Sequence, residues 1–224
     1  MPKKSASAQW SFVITIGAVW GLTEAALGLG LERCASLASG SIMTGVALMF
    51  MAAGWTLASR KLSLALLVVI AALFKMFDAL LLSLPLHHGA IANPIFAFIT
   101  EGLAFFILIS LASEALRKRV WGQALTGGLA AILAANLFPL AKFATGIPAC
   151  VYPGTSYPLS LYYLPLAVAV SLIAVPLGIR AGEKIAGLES QAWLGDRAKS
   201  GLAYLAAPLT LVLCLGIMTL IRLH

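Results

Sequence analysis

The sequence predicts an all-α fold: a polytopic membrane bundle of seven transmembrane helices, six forming a core and one added at the C-terminus. Of its 224 residues, 61% are hydrophobic and only 10% are charged, whereas about 25% charged residues is typical of soluble domains. The apolar runs are rich in Leu and Ala and reach the roughly 20 residues that a helix needs to cross a bilayer. We expect a single membrane domain over 1–224, with spans at about 10–31, 41–59, 62–85, 94–113, 121–141, 160–179 and 201–222.

The distribution of basic residues predicts the orientation of the bundle. With the loops assigned to alternate sides, eleven of the 15 basic residues fall on the side of the N-terminus, three on the other side, and Lys75 inside a span. Such an excess marks cytoplasmic loops. We therefore expect a multi-pass protein of the plasma (inner) membrane, with its N-terminus cytoplasmic and its C-terminus outside. This bias accounts for the net charge of +7, so lipid is the expected environment and no nucleic-acid partner is implied.

The first span carries a ridge of small residues at four-residue spacing, formed by Gly17, Gly21 and Ala25. Small residues at this spacing let another helix approach closely. The approaching helix could belong to this chain or to a separate protein. Trp20 and Glu24 are also four residues apart and therefore share a face of the helix. The second span contains no charge.

The third and fourth spans contain the other ionisable residues. Lys75 and Asp78 are three residues apart in the third span, so they are neighbours on the helix surface. Asn93 and Pro94 predict the start of the fourth span, with Asn as the N-cap and Pro at the first helical position. Glu101 follows two turns into that helix. The loop between these spans contains His87 and His88, which are weak candidates for collecting a metal ion.

The remaining spans are less informative. Asn136 lies near the predicted outer end of the fifth span, and the long outward loop over 144–160 contains three prolines. A loop of this kind is either an interfacial anchor or a lid over a cavity. The segment 180–200 is expected to form a short amphipathic helix before the seventh span. Cys34 and Cys150 both fall in outward loops, where a disulfide and two unrelated thiols are both possible.

Three carboxylates lie at one predicted depth, about 10 Å from the outer ends of their helices: Glu24, Asp78 and Glu101. A charge at the centre of a bilayer costs about 2.5–3.5 kcal/mol, so this layer needs an explanation. One is a buried ion network with Lys75; the other is an outward-facing cavity that selects a cation or an amine. In the second case the carboxylates bind the ligand, Lys75 tunes them, and pocket walls come from Trp20, Asn93 and Asn136.

Several kinds of chemistry have no support in the sequence. It contains no phosphate-binding loop, no HExxH zinc motif, no nucleophile elbow and no dinucleotide fingerprint. The three histidines lie outside the spans, which excludes bis-histidine haem ligation inside the bilayer. We therefore expect a protein that is not an enzyme and carries no cofactor. Two other hypotheses remain open: a membrane anchor or quinone- and proton-handling subunit of a redox complex, and a cation-coupled carrier that works alone.

Two segments resemble a known family. Gly17 to Glu24, with the sequence GAVWGLTE, and Asn93 to Gly102, with the sequence NPIFAFITEG, are similar to segments of proteins related to the substrate-binding S component of energy-coupling factor transporters. The likeness covers about 10–180. The chain departs from the family by its seventh span and by lacking a His-rich N-terminus.

The resemblance implies a six-helix component that captures a vitamin or a metal ion near the outer face. It also implies a transmembrane partner subunit driven by two ATPases. In the family, small residues of the first helix contact that partner. On this chain the corresponding docking stripe would be Gly17, Gly21 and Ala25.

Overall fold

The computed structural model describes residues 6–28, 37–58, 61–146, 150–193 and 197–223. It confirms the prediction of an all-α bundle. Seven helices in this part of the chain are long and apolar enough to cross a membrane, and they are Trp10–Leu27, Ala38–Ala58, Leu62–Leu81, Gly89–Leu111, Val120–Thr145, Leu164–Gly187 and Leu205–Leu223.

Two short helices join these long ones in the described residues. In chain order the helices are α1 Ala6–Leu27, α2 Leu37–Ala58, α3 Lys61–Leu81, α4 Gly89–Leu111, α5 Glu114–Lys118, α6 Val120–Thr145, α7 Leu159–Tyr162, α8 Leu164–Trp193 and α9 Arg197–Leu223. The separate helix expected over 180–200 is not found in the described residues, where α8 continues as one helix to Trp193 and α9 begins at Arg197.

The turn between α3 and α4 differs from the prediction at both ends. Ser83 adopts a left-handed conformation with φ 52°, and the N–H of Leu84 donates to the carbonyl of Ala79, which ends α3 before Pro85. α4 begins at Gly89 rather than at Pro94. Its N-cap is His88, whose Nδ1 accepts from the N–H of Ala90 at 3.2 Å, so the prediction of an Asn93 cap was wrong.

Pro94 lies inside α4, in its second turn. The first four N–H groups of a helix have no intrahelical acceptor, and Pro94 follows soon after them. Its missing N–H removes one further backbone hydrogen bond. The extra turn before Pro94 carries Ala90, Ile91 and Asn93 to the same end of the bundle as the end of α3, and this positions part of the site described below.

The main core is formed by side chains from α1, α2, α3 and α4, with contributions from α6 and α8. Fully buried large residues include Trp20, Leu48, Met51, Leu67 and Phe105. α2 also pairs extensively with α8, and the approach is close because of a glycine: a Cβ at Gly178 would overlap the Met49 carbonyl oxygen. α9 packs mainly on α1, which agrees with the prediction of a C-terminal helix added to a core of six.

The small-residue ridge of α1 is covered by α3. A Cβ at Gly17 would lie 3.0 Å from Ile70 Cδ1, and one at Gly21 would lie 2.6 Å from Phe74 Cβ. Ala25 is 2% exposed. The prediction that these residues form a docking stripe for a partner is therefore corrected: their small size allows α1 and α3 of the same chain to pack closely.

Candidate ligand-binding cavity

A cavity of about 490 Å³ lies at one end of the bundle. Its walls come from the end of α1, the start of α2, the end of α3, the start of α4, the later part of α6, the turn around α7, and the end of α9. This is the end that the charge distribution predicts to face outside, and we call it the outer end. Its size falls within the roughly 300–1,000 Å³ typical of small-molecule sites.

The cavity brings together residues that are far apart in the sequence. The ionisable groups Glu24, Lys75, Asp78, Glu101 and Arg222 all line it. Apolar and aromatic side chains supply much of the remaining wall, among them Met43, Ile91, Phe98, Phe138, Leu159 and Tyr163. The site thus combines a few charged groups with an apolar lining, as ligand pockets commonly do.

Asp78 is held between two basic side chains. Its Oδ2 accepts from Lys75 Nζ at 2.9 Å and from Arg222 Nη2 at 2.8 Å. Its Oδ1 accepts from Arg222 Nε at 2.5 Å. Arg222 Nη2 also reaches the carbonyl of Ala25 at 3.4 Å. Asp78 is fully buried, so this ion cluster compensates its charge and fastens the end of α9 to α3 and α1.

Glu24 lies at the end of α1, where its carboxylate is only half satisfied. Its Oε1 accepts from the indole Nε1 of Trp20 at 3.1 Å. Trp20 is fully buried and makes an edge-to-face contact with Phe98, with ring centroids 5.2 Å apart. The other oxygen, Oε2, is buried and has no hydrogen-bond partner among the described residues. Trp20 therefore fixes the position of a carboxylate that lines the cavity and has one oxygen without a hydrogen-bond partner among the described residues.

Glu101 faces the same cavity from α4 and is 5% exposed. The side chain of Thr44 on α2 hydrogen-bonds to it, and Glu24 is close enough to interact with it electrostatically. Neither glutamate takes part in an ion pair among the described residues. Two buried carboxylates thus share a cavity, with one indole and one hydroxyl as their identified hydrogen-bond donors.

The five ionisable groups have a formal charge of −1 when all are ionised, whereas Glu24, Asp78, Glu101 and Lys75 alone sum to −2. The difference is Arg222, one of the three basic residues that the charge distribution assigns to the outer side. No local pattern marks it as a site residue, since it is the last basic residue before the C-terminus. Thr44 and Tyr163 were also missed, because nothing in their local sequence separates them from other polar residues in apolar helices.

Of the two asparagines predicted as pocket walls, one lines the cavity and the other does not. Asn93, at the start of α4, lines the cavity beside His88 and Cys150, and its Nδ2 lies 3.6 Å from the sulfur of Cys150. Asn136 does not line the cavity: its side chain is exposed, and its Nδ2 donates to the carbonyl of Ile132 at 2.8 Å. The prediction of Asn136 as a pocket wall was wrong, because this donation holds its amide along the exposed face of α6.

The predicted metal-collecting histidines and the loop cysteines differ in their positions relative to the cavity. His88 is half-buried at the cavity, whereas His87 is exposed and lies outside it. Cys150 is disulfide-bonded, while Cys34 lies outside the described residues. Within the described part of the chain, no group of three or more His, Cys, Asp and Glu side chains is arranged to hold a metal ion.

Comparison with known proteins identifies no relative of this chain. No family model, no curated protein and no solved structure matches this chain. The fold and the cavity define a polytopic helical membrane protein with a charged, ligand-sized site near one end of its bundle.

Proposed function

We propose that this protein is the membrane-embedded substrate-binding component of a transport system. It binds a small organic molecule that carries a protonated amine or another cationic group, and it takes this molecule from the outer face. An ATPase-driven partner complex then completes delivery, as the resemblance to S components implies. Because α3 covers the small-residue ridge of α1, the partner would contact a different surface.

The observation that carries this proposal is the unpartnered oxygen of Glu24. A buried carboxylate without a basic partner is costly, and here a second one, Glu101, shares the same cavity. A cationic group that donates to Glu24 Oε2 and approaches Glu101 would compensate both charges. Phe98, Phe138 and Tyr163 line the same space, and aromatic faces of this kind attract organic cations.

An organic amine is favoured over a metal ion by the arrangement of ligands. Divalent metal ions need several converging oxygen, nitrogen or sulfur donors. Asp78 is already engaged by Lys75 and Arg222, and the Nδ1 of His88 accepts from Ala90. Of the described carboxylates lining the cavity, this leaves Glu24 and Glu101, a pair better suited to an ammonium group.

Binding by variants of the full-length protein in lipid nanodiscs tests the cation site. Tryptamine and a series of linear primary amines serve as probes, with affinity measured by calorimetry or by the shift in thermal unfolding. Glu24→Gln and Glu101→Gln should each weaken amine binding by about 10- to 100-fold, because each removes a charge-assisted hydrogen bond. Asn136→Ala is the matched control and should bind as the unaltered protein does. Equal affinities in all four proteins would contradict the proposal.

The partner complex is tested by purification from native membranes. Co-purification with a transmembrane subunit and ATPases supports it. Co-purifying flavin, haem or iron–sulfur subunits would instead indicate a redox complex, and uptake by the protein alone in liposomes would indicate an autonomous carrier.

A further inference from the structure

The cavity has a second, oppositely charged part beside the end of α1. There, Lys75 and Arg222 are two cationic groups, and among the described residues they form ion pairs with one carboxylate, that of Asp78. The cluster therefore has a formal charge of +1 although Lys75 is 7% exposed and Asp78 is fully buried. Excess charge in such surroundings is costly unless a counter-charge accompanies it.

The two cationic groups lie next to Gly28 at the wall of the cavity. Gly28, which follows α1, lines the cavity. A Cβ built on it would lie 3.7 Å from Lys75 Nζ and 3.9 Å from Arg222 Nη2. Those distances place Gly28 next to both charges, and all three residues line the cavity. A ligand carboxylate in this part of the cavity would therefore adjoin both cationic groups.

Both cationic groups keep donor capacity for such an oxygen. An ammonium has three N–H donors and a guanidinium has five. The described contacts of Lys75 use one donor, toward Asp78, and those of Arg222 go through Nε and Nη2. An anionic group placed beside Gly28 would therefore add hydrogen bonds without displacing Asp78.

We infer that the ligand is a zwitterion, whose amine binds at Glu24 and Glu101 and whose carboxylate binds beside Gly28 between Lys75 and Arg222. This inference rests on the proposed function and narrows its substrate class. The two subsites belong to one cavity, and Lys75 is close enough to Glu24 to interact with it electrostatically. One small molecule can therefore bridge them, and its two charges complement the two parts of the cavity.

Matched sets of three compounds test the inference on the full-length protein in nanodiscs. Each set holds a zwitterion, the amine without the carboxylate, and the acid without the amine. Suitable sets are 4-aminobutyrate, butylamine and butyrate; 6-aminohexanoate, hexylamine and hexanoate; and tryptophan, tryptamine and indole-3-propionate. In at least one set the zwitterion should bind about tenfold or more tightly than the amine, because its carboxylate gains charge-assisted hydrogen bonds. The acid should bind most weakly.

Variants then locate the anionic group. Gly28→Ala fills the space beside both cations without altering any charge, and Lys75→Gln removes one cation while leaving Arg222 on Asp78. Each should reduce the preference for the zwitterion at least fivefold, measured as the ratio of its affinity to that of the matching amine. Gly216→Ala is the matched control, since a Cβ there meets no atom of the described residues within 4 Å. A general loss of stability would lower the affinities for the zwitterion and for the amine together. The ratio of these two affinities therefore distinguishes a loss of carboxylate recognition from a loss of folding.

The possible failures are distinguishable. If the amines bind as tightly as their zwitterions in every set, or if Gly28→Ala and Lys75→Gln leave the ratio unchanged, the zwitterion inference is overturned and the cation site stands. If no amine and no zwitterion binds, or if the acids bind most tightly, both the inference and the proposed function are overturned.

Discussion

The two charged parts of the cavity differ in how completely their carboxylates are compensated. Asp78 accepts three hydrogen bonds from Lys75 and Arg222. Glu24 accepts one from Trp20 and has a buried oxygen without a partner, and Glu101 lies beside it without an ion pair among the described residues. All three are buried, lie on transmembrane helices and line one cavity. Partners, rather than burial or residue type, therefore separate a carboxylate that holds helices together from one that lacks a counter-charge.

The largest expected effect comes from removing the compensated carboxylate. Asp78→Asn leaves Lys75 and Arg222 buried without their counter-charge, and breaking a buried ion pair in this way costs about 3–5 kcal/mol. Thermal unfolding of the purified protein in detergent measures the loss. Glu114→Gln is the control, because the Glu114–Lys118 pair is exposed and such pairs contribute about 0–1 kcal/mol. A loss from Asp78→Asn no larger than that control would show that the ion cluster does not hold α9.

A smaller effect is expected from changing the shape of one cation. Arg222→Lys keeps the positive charge but replaces a planar group that contacts both oxygens of Asp78 with a single point donor. The loss of one hydrogen bond to a charged group corresponds to about 1.5–3 kcal/mol. Chemical unfolding of this variant and of Arg222→Gln separates the contribution of the side chain's geometry from that of its charge. If the Lys variant is as stable as the unaltered protein, charge alone accounts for the role of Arg222.

A residue that holds helices together and a residue of the cavity can also be compared within α1. Gly21 lies on its packed ridge, and Glu24 lies at the cavity. Gly21→Ala adds a methyl group that would meet the Phe74 side chain, and such overpacking costs about 1–3 kcal/mol. Gly216→Ala, on the open face of α9, is the control and should not destabilise. Thermal unfolding distinguishes the two. An unaffected Gly21→Ala would mean that α1 and α3 separate readily, and would reopen this ridge as a surface for a partner.

The sequence was sufficient for the fold because long apolar runs have few alternatives in a bilayer. It was also sufficient to choose Glu24, Lys75, Asp78 and Glu101 as residues of interest, because each charge stands out against an apolar run. Whether they bind a ligand stays a prediction.

The sequence was insufficient where the outcome depends on which helices are neighbours. Arg222 reaches Asp78 across 144 residues, and no local pattern reports such a pairing. The ridge of α1 illustrates the same limit, because a small-residue spacing predicts a close helix contact but not whether the neighbour belongs to the same chain. The start of α4 was misplaced because proline is a strong local signal and the actual cap is not: α4 begins at Gly89, five residues before Pro94, where the His88 side chain accepts from the N–H of Ala90.

The smallest expected effect on stability comes from the uncompensated pair, and it is the sharpest test of the comparison. The double variant Glu24→Gln and Glu101→Gln removes two charges that no described cation pairs with, so folding should lose almost nothing, within about 0.5 kcal/mol, or gain. Trp20 can still donate to the amide oxygen at position 24, so the local geometry is retained. Amine binding should nevertheless be abolished, which thermal unfolding with and without tryptamine measures in one experiment. A stability loss comparable to that of Asp78→Asn would instead mean that the glutamates belong to the structural ion network, because only a pair that holds the helices together would cost so much to remove.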